Sequence, residues 1–303
     1  MPRRRLPYVQ VDVFTSRVLE GNALAVFTDA RGLSGGEMQA IARETNLSET
    51  TFVLPDPAAR PGSPVRVRIF TVGEEVPFAG HPTLGTAFVL RQDPALAGAA
   101  GGARAPGEVV LALGVGDVPV AFEDRAEGTF GEMRQRDPVF GREHARGDVA
   151  DALGVVDEDL DERAPIQTVS TGLAFAIVPF RSLATLRALR IDAARAEAYL
   201  AGTDARFFYL VCREVEQADA ALHARMIFYG GEDPATGSAA GCCIAWLVRH
   251  GLASPGEGLV IEQGIEVRRP SRIHVRAGGG RDRVSDVRVG GHVVEACRGE
   301  LLL

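Results

Sequence analysis

The stretch Glu232-Asp233-Pro234-Ala235-Thr236-Gly237-Ser238-Ala239-Ala240-Gly241 has an echo half a chain earlier, in Gly80-His81-Pro82-Thr83-Leu84-Gly85-Thr86-Ala87. His81 to Ala87 matches Asp233 to Ala239 at the proline, the glycine, the hydroxyl residue and the last alanine. The approaches match too, with Arg68-Ile69-Phe70 before one copy and Arg225-Met226-Ile227-Phe228 before the other. A unit that occurs twice points to duplication of a strand–loop–helix element. In each copy the proline reads as part of a first helical turn, where its missing N–H has no intrahelical partner to lose. Glycine and small residues then leave backbone N–H groups bare at a helix start. Such an end carries a partial positive charge and suits a carboxylate, a phosphate or a developing oxyanion. Both copies could instead cap two core helices, but different polar residues at the matched position, His81 and Asp233, favour a site.

Composition narrows the function classes. With 303 residues, 46% of them apolar and 24% charged, the chain reads as globular, with two domains or one large one. A net charge of −7 argues against a nucleic-acid or anionic-membrane partner, whereas a small anionic substrate fits the helix starts. All 33 basic residues are arginine, so neither a Schiff-base lysine nor a P-loop lysine exists. The four cysteines, Cys212, Cys242, Cys243 and Cys297, have no CxxC spacing, so neither zinc nor a disulfide framework is expected. No apolar run approaches 18 residues and no signal core follows Met1, so cytoplasm is the expected location.

Along the chain, Tyr8 to Phe14 alternates as a half-buried strand and turns at Gly21-Asn22 into a second strand, Ala23 to Phe27. Ser34 and Glu37 have capping-box spacing ahead of a helix ending near Thr45. Asn46 to Leu54 reads as a loop entering a strand, with Glu49 at its mouth. An acidic residue there serves either as a turn carboxylate or as a functional group. Residues 92–108 read as a surface loop from their Gly, Ala and Pro content. Charge dominates from Glu123 to about Asp137, where the domain junction is expected. Ser170-Thr171-Gly172-Leu173-Ala174-Phe175 reads as a polar lead into an apolar strand and loosely matches Ser48 to Phe52, with Gly172 where Glu49 would be.

Asn46 to Phe52, Pro77 to Gly85, Ser170 to Leu173 and Glu232 to Ala239 together resemble the phenazine-biosynthesis isomerase (PhzF-like) family. Glu262-Gln263-Gly264 with Arg269-Pro270-Ser271 adds a fifth match. The resemblance implies an α+β fold of the diaminopimelate-epimerase-like kind, with two pseudo-symmetric domains. Each would be a barrel-like β-sheet around a central helix, with the active site between them. The expected domains are 1–125, with the tail from 293 returning to it, and 126–292. It also implies a homodimer, no cofactor and no metal, and a small carboxylic acid substrate. The best-known member moves a proton along the ring of a dihydro-hydroxyanthranilic acid. By matched position Glu49 is the general acid/base, assisted by His81, Asp233 and Ser238. Gly80, Thr83, Ser48, Gly172, Thr236 and Gly237 are the expected substrate contacts. Departures from the family pattern occur at Ala23, at Val72-Gly73 and in a short run between Phe228 and Glu232. The last two bear on substrate identity more than on chemistry.

Such chemistry needs a base that takes a C–H proton and an acid that returns one. One glutamate can do both if a partly apolar site raises its pKa, and Phe52, Val53, Phe78 and Leu173 are the expected sources of that environment. One rival is a two-base racemase or epimerase, which needs proton donors on opposite faces of one carbon, normally two cysteines. The other is a catalytically silent small-molecule-binding protein of the same fold.

Overall fold

The computed structural model describes residues 4–60, 63–93, 107–228 and 231–303. Most of the Gly-, Ala- and Pro-rich stretch 92–108, and residues 229–230 of the short run before Glu232, lie outside the described residues. The chain divides into two compact units, one made of Met1–Arg134 with Gly290–Leu303, the other of Gln135–Val289.

In the first unit β1 (Arg5–Val13) and β2 (Asn22–Phe27) form an antiparallel pair. The capping box appears as the spacing predicts: Ser34 and Glu37 each accept the other's backbone N–H, and α1 (Gly35–Thr45) follows. It crosses over to β3 (Glu49–Leu54), parallel to β2, and β4 (Val65–Thr71) returns antiparallel, flanked by the short β5 (Glu75–Val76). Helix α2 (Gly80–Gln92) makes the second crossover, to β6 (Glu108–Leu113), parallel to β4. Then β7 (Gly116–Arg125), β8 (Gly128–Arg134) and the end of β18 (Val284–Leu302) complete the sheet, and β18 pairs with β1 from Arg5↔Leu302 to Val13↔Val293. Among the described residues this is an eight-strand closed sheet wrapped round α2.

Every residue of α2 from Gly80 to Leu90 is buried, as expected of a helix apolar on all sides. Close approach explains Gly85: a Cβ there would stand 2.7 Å from Leu24 Cδ2 and 2.9 Å from Val13 Cγ2. Helix α1 lies on the other face of the sheet, where Phe27, Met38, Ile41, Phe52 and Phe70 form a separate apolar cluster.

The second unit repeats the same order of steps. Strands β9 (Val139–Glu143), β10 (Gln167–Ser170) and β11 (Ala174–Phe180) are antiparallel neighbours. Helices α4 (Leu183–Ala188) and α5 (Ala193–Leu200) cross over to β12 (Phe207–Cys212), parallel to β11, and β13 (Leu222–Arg225) returns antiparallel. After the small hairpin of β14 (Ile227–Phe228) and β15 (Gly231–Glu232), α6 (Gly237–Arg249) crosses to β16 (Leu259–Gln263), parallel to β13. Strands β17 (Ser271–Gly279) and β18 follow. Gly237 to Val248 of α6 are all buried. Helix α3 (Arg146–Leu153) joins α4 and α5 over an outer cluster around Leu160, Val178 and Phe180.

This topology corrects one sequence reading. The strand after Ser170-Thr171-Gly172 corresponds to β2, since it starts the parallel crossover, so Gly172 in the β10–β11 turn is not the counterpart of Glu49. The strand corresponding to β3 is β12, which opens on Phe207. The unit boundary lies after Arg134, inside the expected junction of 123–137 and beyond the expected bound of 125, because residues 123–134 form a β-hairpin, pairing from Val120↔Met133 to Arg125↔Gly128.

Candidate active site

In the first unit α1 ends at Asn46, whose left-handed φ of 51° redirects the chain. Three residues later Glu49 opens β3, opposite Leu24 on one side and Thr71 on the other. Strand alternation sends Glu49, Thr51 and Val53 to the α2 side, where the Thr51 and Thr86 hydroxyls meet at 2.8 Å. Thr50 and Phe52 face α1 instead. Thr50 meets Thr45 at 2.7 Å, and Phe52 stacks on Phe27 with ring centroids 5.2 Å apart. Phe52 therefore does not enclose Glu49, contrary to the sequence expectation, because it stands on the opposite face of its strand. Thr71 steadies the turn beside Glu49: its Oγ1 accepts from the N–H groups of Gly73 (3.1 Å) and Glu74 (2.9 Å).

His81, second residue of α2, turns Nε2 toward Glu49 Oε2 at 3.7 Å. That distance is too long for a hydrogen bond. On the far side of the ring Nδ1 lies 3.1 Å from Asn22 Nδ2. The His81 side chain is 3% exposed and that of Glu49 14%, while the two facing atoms, Glu49 Oε2 and His81 Nε2, are both buried. Burial pushes the His81 pKa down to about 3, against a weaker backbone hydrogen bond with Ala23, so the ring is neutral near pH 7. Glu49 and His81 thus form a carboxylate beside a neutral imidazole rather than an ion pair. Ser48 precedes Glu49 and is half-buried, while Thr83 is fully buried with its hydroxyl donating to Ala79 O at 2.7 Å. Helix α2 begins at Gly80 with no side-chain cap, and its first ladder bond is Thr83 N–H to Ala79 O, at 3.3 Å. Pro82 is therefore the third helical residue.

The second unit handles its copy of the motif differently. Asp233-Pro234 precedes the helix, which starts only at Gly237, five residues later in the shared motif (237 − 152 = 85, against 80) than in the first unit. The expectation that each proline sits in a first helical turn holds for Pro82 and fails for Pro234. Asp233 is buried, its N–H donates to Met226 O (2.8 Å), and its Oδ2 accepts from the Thr236 hydroxyl (2.7 Å). Thr236 is the N-cap residue of α6, yet its side chain makes no capping bond. Gly237 and Ser238 are the first two helical residues, both buried, and the first ladder bond runs from Ala240 N–H to Thr236 O (2.9 Å). Glu232 pairs with the buried Arg225 along one guanidinium edge, Nε donating to Oε1 at 2.9 Å and Nη2 to Oε2 at 2.7 Å, and holds the strand entering the motif. Gly172 lies beside Thr171, whose hydroxyl donates to Gln135 Oε1 (2.6 Å), and Gln135 in turn donates to Gly237 O (3.0 Å).

The structure thus brings Glu49 and His81 together in one unit, and gathers Asp233, Thr236, Gly237 and Ser238 round one helix start in the other. Sequence reading missed two residues. Asn22 looked like a turn residue, and only its burial beside His81 shows it holding the ring. Gln263 carried no role, although its side chain bonds directly to Asp233 and Thr236. The next residue, Gly264, has a φ of 79°, and a Cβ on it would stand 2.5 Å from Pro234 O and 2.4 Å from Arg269 O. Gly264→Ala is expected to cost roughly 2–4 kcal/mol, measured as a lowered denaturant midpoint, from backbone strain and overpacking together.

Cys242 and Cys243 are buried within α6. Burial pushes the Cys242 thiol up to about 11 and Cys243 higher still, so neither is a thiolate near pH 7. Among the described residues no group of three or more His, Cys, Asp or Glu side chains could hold a metal ion. No helix among them is long and apolar enough to cross a membrane.

Comparison with known proteins identifies this architecture. The sequence profile of the family described as phenazine biosynthesis-like protein matches residues 11–299. The chain belongs to that family. It is 36% identical over 303 residues to the trans-2,3-dihydro-3-hydroxyanthranilate isomerase of Pseudomonas aeruginosa, covering 98% of this chain and 99% of that one. An uncharacterized isomerase of Mesorhizobium japonicum is 37% identical over 310 residues, covering 98% of each. Among solved structures, the Bacillus anthracis phenazine biosynthesis protein of the PhzF family superposes with a TM-score of 0.84 at 27% identity. That match covers 99% of this chain and 100% of that one. The family's α+β architecture is the one described above, and the relatives that carry an activity in their names are isomerases.

Proposed function

We propose that the protein is a cofactor-independent isomerase that moves a proton between two carbons of a small, unsaturated cyclic carboxylic acid. The dihydro-hydroxyanthranilate handled by the Pseudomonas relative is the first substrate to test. The observation that carries this reading is the pairing of a largely buried Glu49 with a buried, neutral His81. In the proposed reaction Glu49 takes a C–H proton, leaving an enol-like electron pair on the substrate. The same group returns the proton to a different carbon, so atoms and charge balance without any redox partner. Asn22 Nδ2 beside Nδ1 favours the tautomer that carries the ring proton on Nε2, on the side of Glu49. From there it can donate to the carboxylate or to an oxygen gaining charge, and its low pKa keeps it a hydrogen-bond donor rather than a competing acid. The uncapped start of α6 is suited to the substrate carboxylate, and Asp233 to an amino group. The buried, high-pKa thiols of Cys242 and Cys243 speak against a two-thiol racemase.

The test is incubation with trans-2,3-dihydro-3-hydroxyanthranilate in D2O, followed by NMR. Loss of the substrate signals with one solvent deuteron entering the product supports the reading. Absence of both exchange and conversion, with this acid and a panel of related cyclic carboxylic acids, overturns it. Solvent deuterium with loss of chirality in L-amino acids would point to the racemase instead.

A further inference from the structure

Gln263 is wholly buried at the end of β16, and its side-chain amide makes four hydrogen bonds. Its Oε1 accepts from the Tyr209 hydroxyl (3.1 Å) and from Thr236 N–H (3.1 Å). Its Nε2 donates to Asp233 O (2.8 Å) and to Thr236 Oγ1 (2.9 Å). A backbone N–H only donates and a carbonyl only accepts, so these two partners fix which way round the amide lies. The Thr236 hydroxyl, having accepted from Gln263, turns its own proton to Asp233 Oδ2 at 2.7 Å. A threonine at an N-cap ordinarily accepts from a backbone N–H two or three residues on. Thr236 makes no such bond, because its hydroxyl is already engaged on both sides.

We propose that Gln263 is a positioning residue: through Thr236 it aims the Asp233 carboxylate and keeps the first N–H groups of α6 uncapped for the carboxylate of a substrate. The inference rests on the functional reading above in giving Asp233 and that helix start a ligand. Gly264 supports it independently. Only a residue without a Cβ lets the end of β16 come this close to Pro234, so the Gln-Gly pair forms a seat for the Asp233–Thr236 turn. Tyr209 completes the seat from β12. Its burial raises the phenol's pKa well above the ordinary value, so the hydroxyl stays a donor.

The experiment uses Gln263→Leu, Thr236→Val and Thr236→Ser in the full chain, each studied by crystallography and by kinetics on the dihydro-hydroxyanthranilate. In Gln263→Leu the Thr236 hydroxyl is expected to leave Asp233 and cap Ala239 N–H. Gln263→Leu and Thr236→Val should each raise KM by roughly 10–100-fold with a smaller change in kcat, the scale of losing hydrogen bonds to a charged group. Thr236→Ser, which restores the hydroxyl, should recover at least ~10-fold of the Thr236→Val loss. A purely structural role would lower stability and leave KM alone. Thr236→Val conserves volume and carries the test if Gln263→Leu does not fold. Asp233 and Thr236 unmoved in the variant crystals, or an unchanged KM, overturns the proposal. If the wild-type protein converts no substrate, the functional reading fails, and the crystal arm still decides whether Gln263 positions this turn.

Discussion

Glu49→Gln should lower turnover by at least ~10²-fold, the usual scale for losing a proton-transfer group. The replacement keeps the size of the side chain and its place at the head of β3, between Leu24 and Thr71, but cannot carry a proton near pH 7. Substrate affinity should change much less, because the amide keeps the shape of the side chain and some of its hydrogen bonding. Stability should be unchanged or slightly higher, since the variant removes a largely buried carboxylate from beside a neutral imidazole. A carboxylate that only ties down a turn gives the inverse pattern, with stability falling by about 1 kcal/mol while activity survives. Turnover and denaturant midpoint measured on the same variant separate the two. Full activity with lowered stability would remove Glu49 from the mechanism and leave His81 beside a structural acid.

The fold was legible in the sequence chiefly because it was written twice. The repeated Pro-x-x-Gly unit marked the two central helices, and the capping box at Ser34–Glu37 marked α1. Sequence similarity did not determine where each helix begins. His81-Pro82 lies inside its helix and Asp233-Pro234 outside, because Thr236 in the second copy is bonded sideways to Asp233 and Gln263. Strand β8 was hidden by Glu132 and Arg134, whose charges masked the buried Phe130 on one face and Gly131 and Met133 on the other. In the candidate site, Glu49 stood out because an acid at the mouth of an apolar strand is costly to keep. Asn22 and Gln263 did not, since a polar amide reads as a turn or surface residue until its partners in space are known. Local signals reveal charged groups at the ends of elements, and only tertiary contacts reveal the amides that orient them.

The second large effect is expected at His223, a wholly buried imidazole held between two carboxylates. Its Nδ1 lies 2.9 Å from Glu262 Oε1 and its Nε2 3.1 Å from Glu266 Oε1. Glu262 also accepts from the N–H groups of Glu216 (2.6 Å) and Gln217 (2.9 Å), and Arg187 approaches Glu266 at 3.5 Å. Burial by itself would depress the imidazole pKa, but hydrogen bonds to Glu266 and Glu262 outweigh it and hold the pKa above its ordinary value. His223→Gln leaves Glu262 buried without its cationic partner and should cost roughly 3–5 kcal/mol near pH 6. A raised folded-state pKa contributes stability that is fully present below the unfolded value of about 6.5 and is lost as pH rises through the folded value. The difference between wild type and variant should therefore shrink on the alkaline side. Glu266 has the opposite sign: burial pushes its pKa up, the contact with His223 more than offsets this, and the folded pKa lies below the ordinary value. Its share is present above the unfolded carboxylate pKa of about 4.3 and is lost as pH falls through the folded one. His81, neutral when folded, also loses stability toward acid, but it is common to both proteins and cancels in the difference. Urea unfolding of both proteins from pH 4 to 10 should give a stability difference that peaks between those limits. A difference that stays flat across the range would mean that His223 is neutral in the folded protein and acts only by packing.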